Sequence, residues 1–173
     1  GFHEAAMLGQ AVKDILFDYA FCSQQIRAFE TLEGLLDAAQ EFDVKYERSA
    51  ALNERDYGDY TGLNKWQVRD QLGEDAFNHI RRDWNYPVPN GETLKMVYDR
   101  AAPYYQQTML PQLKSGKTVL VTSHGNAIRA LIKFIENISD DDIANVEMPF
   151  GNVIIYDIDA GGHMVSKTER KID

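Results

Sequence analysis

Apolar residues recur at helical spacing near the start of the chain, where Ala5, Leu8, Gly9, Val12 and Leu16 share one stripe over residues 3–16. A short, mostly apolar run follows at residues 18–22, of the kind buried in a parallel sheet. Ser23 is suited to cap a helix over residues 24–39, with Ile26, Phe29, Leu32, Leu35 and Leu36 as its apolar face. Residues 44–48 alternate as an edge strand does. Residues 53–65 carry glycines, asparagines, tyrosines and charges with no period, which predicts a loop of the sort that holds binding groups. A helix is expected from about Trp66. The two prolines between Tyr86 and Gly91 mark a turn-rich connection. Residues 92–110 read as one helix kinked at Pro103. Residues 117–123 are the clearest strand, and residues 127–135 are helical. Ser139 with Asp140, Asp141 and Asp142 reads as a second helix start. Residues 153–158 and 165–171 read as strands joined by the turn at Gly161-Gly162, the last an antiparallel edge. Strands alternate with helices, so the expected class is α/β with a mostly parallel sheet flanked by helices in three layers.

Composition narrows this picture. The chain has 173 residues, 44% hydrophobic and 26% charged, enough apolar surface for a single domain over residues 1–173. Its 18 Lys and Arg against 27 Asp and Glu give −9, which disfavours nucleic-acid partners. No apolar run approaches the ~20 residues a bilayer span needs, so no membrane partner is expected. Cys22 is the only cysteine, which excludes an internal disulfide and fits a cytoplasmic location. The chain opens on Gly1 and runs straight into a helix pattern, so we expect it to begin inside a fold. The oligomeric state is left open, self-association being compatible with the sequence.

In an open α/β sheet, ligands bind beyond the carboxyl ends of the strands. Two such ends stand out. One gives Cys22-Ser23 and then Arg27; the other gives His124-Gly125-Asn126 and then Arg129. A helix N-terminus offers free N–H groups, and an added guanidinium or imidazole makes a site for a phosphoryl or carboxylate group. Against this, Arg27 could be a solvated helix residue, and Arg129 is better read as solvated or paired with an acid. His3, His79 and His163 lack comparable context. No two His or Cys lie at metal-ligand spacing, so no metal is expected. Cys22 reads as a buried strand residue with nothing to lower its pKa. Glu54 heads the irregular loop and is a candidate general acid or base. Arg81-Arg82 follows the stretch 75–80, and at least one of the pair should reach into loop space.

These segments resemble a known family. Residues 52–58, Leu-Asn-Glu-Arg-Asp-Tyr-Gly, followed by Thr61-Gly62-Leu63-Asn64-Lys65, resemble the 2,3-bisphosphoglycerate-dependent phosphoglycerate mutases of the histidine phosphatase superfamily. Residues 123–131, from Ser123 to Leu131, are similar to that family's second-histidine motif. Ser23 with Arg27-Ala28 and Thr31, and residues 89–94 from Pro89 to Leu94, are similar to two further segments. The resemblance runs from Gly1 to about Asp159. It implies interconversion of 3- and 2-phosphoglycerate through a phosphohistidine, primed by 2,3-bisphosphoglycerate, without metal. It implies that His124 contacts the transferring phosphoryl group, that Arg27 clamps it, and that Glu54 is the general acid/base. Tyr57, Lys65, Arg81 and Arg82 would hold the carboxylate and second phosphate of a small phosphorylated sugar acid. Arg55 would lie in the same substrate-lining stretch, and Gly125 and Asn126 would help cradle the phosphate.

One departure matters. The family's first, central strand ends in Arg-His-Gly and carries the phosphorylated histidine, and nothing in the chain matches it. That histidine is expected upstream of Gly1. The strands at 117–123 and 153–158 should then share one sheet without pairing, about two strand spacings apart (~9–10 Å). Two rivals remain at this point: a broad-specificity phosphatase of the same superfamily, and a truncated form that only binds phosphorylated ligands.

Overall fold

The computed structural model describes residues 1–148 and 151–172; Pro149, Phe150 and Asp173, all three within the domain expected over 1–173, lie outside the described residues. The chain begins with α1 (Phe2–Ala11), β1 (Tyr19–Ser23), α2 (Ile26–Ala38) and β2 (Lys45–Ser49). The irregular loop contains only two short 3-10 turns, at Ala50–Leu52 and Gly58–Tyr60. Then come α3 (Lys65–Leu72), α4 (Glu74–Arg82), α5 (Leu94–Tyr104), α6 (Leu110–Lys114), β3 (Val119–Thr122) and α7 (Gly125–Ile135). The antiparallel pair β4 (Asn152–Ile158) and β5 (Met164–Lys171) closes the fold.

Several local expectations change. The first helix stops at Ala11, through a turn closed by the Ile15 N–H on the Val12 carbonyl. Leu16 is thereby thrown off the stripe and is 79% exposed. The helix expected over 92–110 is broken. Thr93 caps α5 by accepting from the Met96 N–H, and a π turn at Tyr105–Met109 follows Pro103 before α6 begins. A proline inside a helix removes one ladder donor, and a wide turn close behind it absorbs the mismatch. Ser139 accepts from the Asp142 N–H, but only the 3-10 turn Asp142–Asn145 follows.

The sheet runs β2-β1-β3, all parallel. Successive residues of β1 face opposite sides, as a pleated strand requires. Phe21 packs with Leu52, Val97, Ala101, Met109, Ala127 and Ala130 beneath α5 and α7. Ala20 and Cys22 pack with Val12, Ala28, Leu32 and Leu35 beneath α1 and α2. Helices cover both faces, giving the three layers expected. Cys22 is fully buried, and that burial pushes its thiol pKa up.

β4 and β5 form a separate sheet. The strands at β3 and β4 are unpaired with each other, as expected, but the expectation that they share one sheet is not met. Between them runs a cleft of about 1560 Å³. It touches every residue from Lys117 to Gly125 on one side and from Gly151 to Ile158 on the other. Side chains alternate across a strand, so a cavity meeting every consecutive residue runs along the strand edges rather than over one face. The backbone N–H and C=O groups on these two facing edges have no ladder partner among the described residues.

Candidate active site

The site sits where β1 and β3 end, and its centre is His124. The His124 residue is the N-cap of α7, with extended backbone, so its ring stands at the helix entrance. Ser23, at the end of the neighbouring strand, places its Oγ 2.8 Å from His124 Nε2. That hydroxyl also accepts from the Gln25 N–H at 3.2 Å. Ser23 therefore tethers the imidazole instead of capping α2, which starts at Ile26 with no side-chain cap. Burial holds the His124 pKa below its usual 6.5; the nearby Glu54 carboxylate opposes the shift and the Arg27 charge adds to it. The ring is thus neutral near pH 7, able to donate from one nitrogen and accept at the other.

Glu54 reaches the same helix entrance from the irregular loop. Its Oε1 accepts from its neighbour's Arg55 N–H at 2.8 Å and from the Asn126 N–H at 3.1 Å. A carboxylate on a helix N-terminus meets the free amide donors and the positive end of the dipole. Oε2 makes no hydrogen bond among the described residues. The Asn126 side chain extends the arrangement, donating from Nδ2 to the Tyr57 hydroxyl at 2.9 Å. Arg27, in the first turn of α2, is exposed and lines the cleft together with Glu54, His124 and Gly125. Arg27, Glu54, His124, Gly125, Asn126 and Tyr57 are thus brought to one place.

The loop carrying Glu54 is held from several sides. The Glu54 N–H donates to Gln25 Oε1 at 2.8 Å, and the Gln24 N–H to Asn53 Oδ1 at 2.9 Å. Arg100 donates to the carbonyls of Ala51 and Glu54 and makes a two-pronged ion pair with Glu92. Glu92 in turn accepts from the Asp56 N–H at 2.9 Å. Those Arg100 hydrogen bonds hold the Glu92 carboxyl below its ordinary range. Two glycines let the segments close up. A Cβ on Gly58, whose φ is +53°, would lie 2.2 Å from the Pro89 carbonyl oxygen, and one on Gly91 would lie 2.6 Å from that of Asp56. No side chain fits in either place.

The other candidates lie apart from the cleft. Lys65 opens α3 and is exposed, its Nζ 5.1 Å from the Trp66 ring centre. Arg81 and Arg82 end α4 with exposed side chains, and neither lines the cleft, where at least one was expected. Arg55 is only 3% exposed. Its guanidinium turns inward, Nε to the Glu92 carbonyl and Nη1 to that of Ile80. Arg129 is neither solvated nor paired with an acid, as its place one turn into α7 had suggested. It is 7% exposed and donates to the carbonyls of Arg81, Arg82 and Ile143. Ser23, Arg100 and Arg129 carry structural roles that sequence reading assigned differently or left out. For Arg129 no sequence signal marked this, because its carbonyl partners in α4 and at Ile143 are brought to it only by folding.

Among the described residues no group of three His, Cys, Asp or Glu side chains is placed to hold a metal, and no helix is long and apolar enough to cross a membrane.

Comparison with known proteins covers most of the chain. The family model of the histidine phosphatase superfamily (branch 1) matches residues 1–170. A 2,3-bisphosphoglycerate-dependent phosphoglycerate mutase from Bradyrhizobium diazoefficiens is 41% identical over 171 residues, covering 98% of this chain and 83% of its own. One from Parvibaculum lavamentivorans is 37% identical over 169 residues, covering 96% and 80%. Among solved structures, Bacillus stearothermophilus YhfR superposes with a TM-score of 0.81 at 25% identity, covering 95% of this chain and 79% of its own. A phosphoglycerate mutase from Bacillus anthracis superposes with a TM-score of 0.66 at 25% identity, covering 79% and 67%.

Proposed function

The chain belongs to the histidine phosphatase superfamily (branch 1), and from that premise we propose that it acts as a 2,3-bisphosphoglycerate-dependent phosphoglycerate mutase, an isomerase that interconverts 3- and 2-phosphoglycerate. The observation that carries this reading is the meeting of Glu54 and His124 at one helix entrance opposite Arg27. A phosphoryl group needs positive charge and donors where its oxygens gain charge, and these residues supply them. Arg27 offers a guanidinium, α7 offers its N-terminal amides, and neutral His124 offers a ring nitrogen. Glu54 keeps one oxygen on the helix and the other free to take or return the proton of a substrate hydroxyl.

The donor set also fits the anionic primer. When bound, 2,3-bisphosphoglycerate supplies the phosphoryl group that charges the enzyme. Arg27 and His124 would hold one phosphate; Lys65, Arg81 and Arg82 would hold the other end of a two-ended anion, with Tyr57 between. The cleft supports placing a further strand, one carrying the phosphorylated histidine from upstream of Gly1, between β3 and β4. Its uninterrupted edges match what an added strand would pair with, and its β3 end opens beside His124. A cytoplasmic setting fits the buried, unpaired Cys22.

A broad phosphatase of the same superfamily is the second reading. The exposure of Lys65, Arg81 and Arg82 outside the cleft favours it, since a phosphatase needs no grip on a second anionic end. Full-length protein carrying the upstream histidine separates the two. Conversion of 3-phosphoglycerate in the presence of trace 2,3-bisphosphoglycerate is compared with hydrolysis of 4-nitrophenyl phosphate. Mutase turnover far above hydrolysis upholds the first reading; hydrolysis without isomerisation upholds the second.

A further inference from the structure

We propose that Arg129 is a positioning residue for substrate length: it fixes the spacing between the phosphoryl pocket at the entrance of α7 and the Arg81-Arg82 pair at the end of α4. The last carbonyls of a helix have no partner within it. In α4 they are taken by two buried guanidinium groups. Arg55 Nη1 holds the Ile80 carbonyl at 2.7 Å, and Arg129 holds those of Arg81 at 3.2 Å and Arg82 at 3.4 Å. Arg129 also holds the Ile143 carbonyl in the 3-10 turn Asp142–Asn145. It thus ties three elements together from α7, five residues beyond His124, which is ~7.5 Å of helix rise.

Neither Arg55 nor Arg129 has a carboxylate ion pair among the described residues. Each leaves one buried nitrogen unpartnered, Nη2 of Arg55 and Nε of Arg129. Filling the space alone would favour an apolar side chain, because burying a cation without a counter-charge is costly. A planar fork that meets carbonyls from separate elements is what only arginine provides. Cations at the end of α4 also suit its dipole. The effect is to hold the backbone of Arg81 and Arg82 while leaving both side chains exposed. His124 and Arg129 share one rigid helix, so the phosphoryl pocket and the arginine pair are held at a set separation.

This inference rests on the reading of Arg81-Arg82 as the distal anion clamp, and the test separates the two. Full-length protein is titrated calorimetrically with 3-phosphoglycerate, which is anionic at both ends, and with inorganic phosphate. The variants are Arg129→Lys and the double variant Arg81→Met with Arg82→Met. Lysine at 129 keeps the charge but not the fork, and should weaken 3-phosphoglycerate binding roughly tenfold, as the loss of about one charge-assisted contact would. Phosphate affinity should change less than about twofold. Amide exchange at Asp83, whose N–H closes the last turn of α4 on His79, should quicken in the same variant. The positioning role is overturned if Arg129→Lys binds 3-phosphoglycerate as the parent does, or loses both ligands in proportion, while the double variant shows the selective loss. If the double variant itself leaves both affinities unchanged, the clamp reading fails and takes the spacing role with it.

Discussion

The loop that holds Glu54 and the cleft between β3 and β4 differ in how their backbone is satisfied. Around Glu54 the backbone groups of residues 50–56 are met by Arg100, Glu92 and Gln25, and the glycines at 58 and 91 bring a second segment into contact. Along the cleft, two strands expose consecutive edges to a space lined by apolar residues such as Val121, Val153 and Ile155. A polar loop with only two short 3-10 turns is braced by side-chain hydrogen bonds here, and regular strands border the open space. Regularity supplies hydrogen bonds only where a neighbour is present, whereas side-chain donors can complete an irregular backbone.

The contrast is sharpest in stability. Leu52→Ala, beneath the braced loop and fully buried, should cost ~2–5 kcal/mol by removing packed methyl groups. Ile155→Ala faces the cleft and should cost less than about 1 kcal/mol, since little packed volume is lost. Urea denaturation of both measures the gap, and equal losses would show that the cleft is as well packed as the loop.

Catalysis comes next. In full-length protein, His124→Ala should lower isomerisation and monoester hydrolysis alike by ~10²–10³-fold, since both pass through one phosphoryl pocket. Initial rates for both substrates read this directly; a loss confined to one reaction would separate the pocket into two sites.

Smaller effects are expected away from the helix entrance. Removing the charge of Lys65, or of Arg81 and Arg82, should cost isomerisation about 1.5–3 kcal/mol per lost contact while leaving monoester hydrolysis near its parent rate. Equal losses in the two assays would favour the phosphatase reading.

The smallest effect is on acid stability. Burial keeps the folded His124 pKa below the ordinary 6.5. Between the folded and unfolded values the unfolded chain binds a proton that the folded site refuses, so stability falls as pH drops through that window and is flat above it. Comparing urea midpoints of the parent and His124→Gln from about pH 5 to pH 8 should show a shallower acid loss in the variant. An unchanged slope would mean that other groups set it.

The sequence by itself determined the α/β class, nearly every strand and the residues that gather at the entrance of α7. Periodicity reports which side of an element is buried, and a His-Gly-Asn run after an apolar strand marks a strand end whatever surrounds it. Glu54 has no periodic signal of its own; its place at the head of the irregular loop made it a candidate, and the resemblance to the mutases gave it a role. Other features were decided only by tertiary structure. Ser23 could cap a helix or hold His124, and the nearness of β3 to β1 chose the second. Arg129 could face solvent or an acid, and the end of α4 gave it carbonyls instead. Whether β3 and β4 belong to one sheet depends on what lies between them, which neither strand encodes. Each of these outcomes rests on partners far apart along the chain, and the pattern of a single segment carries no information about which groups folding will bring to its side.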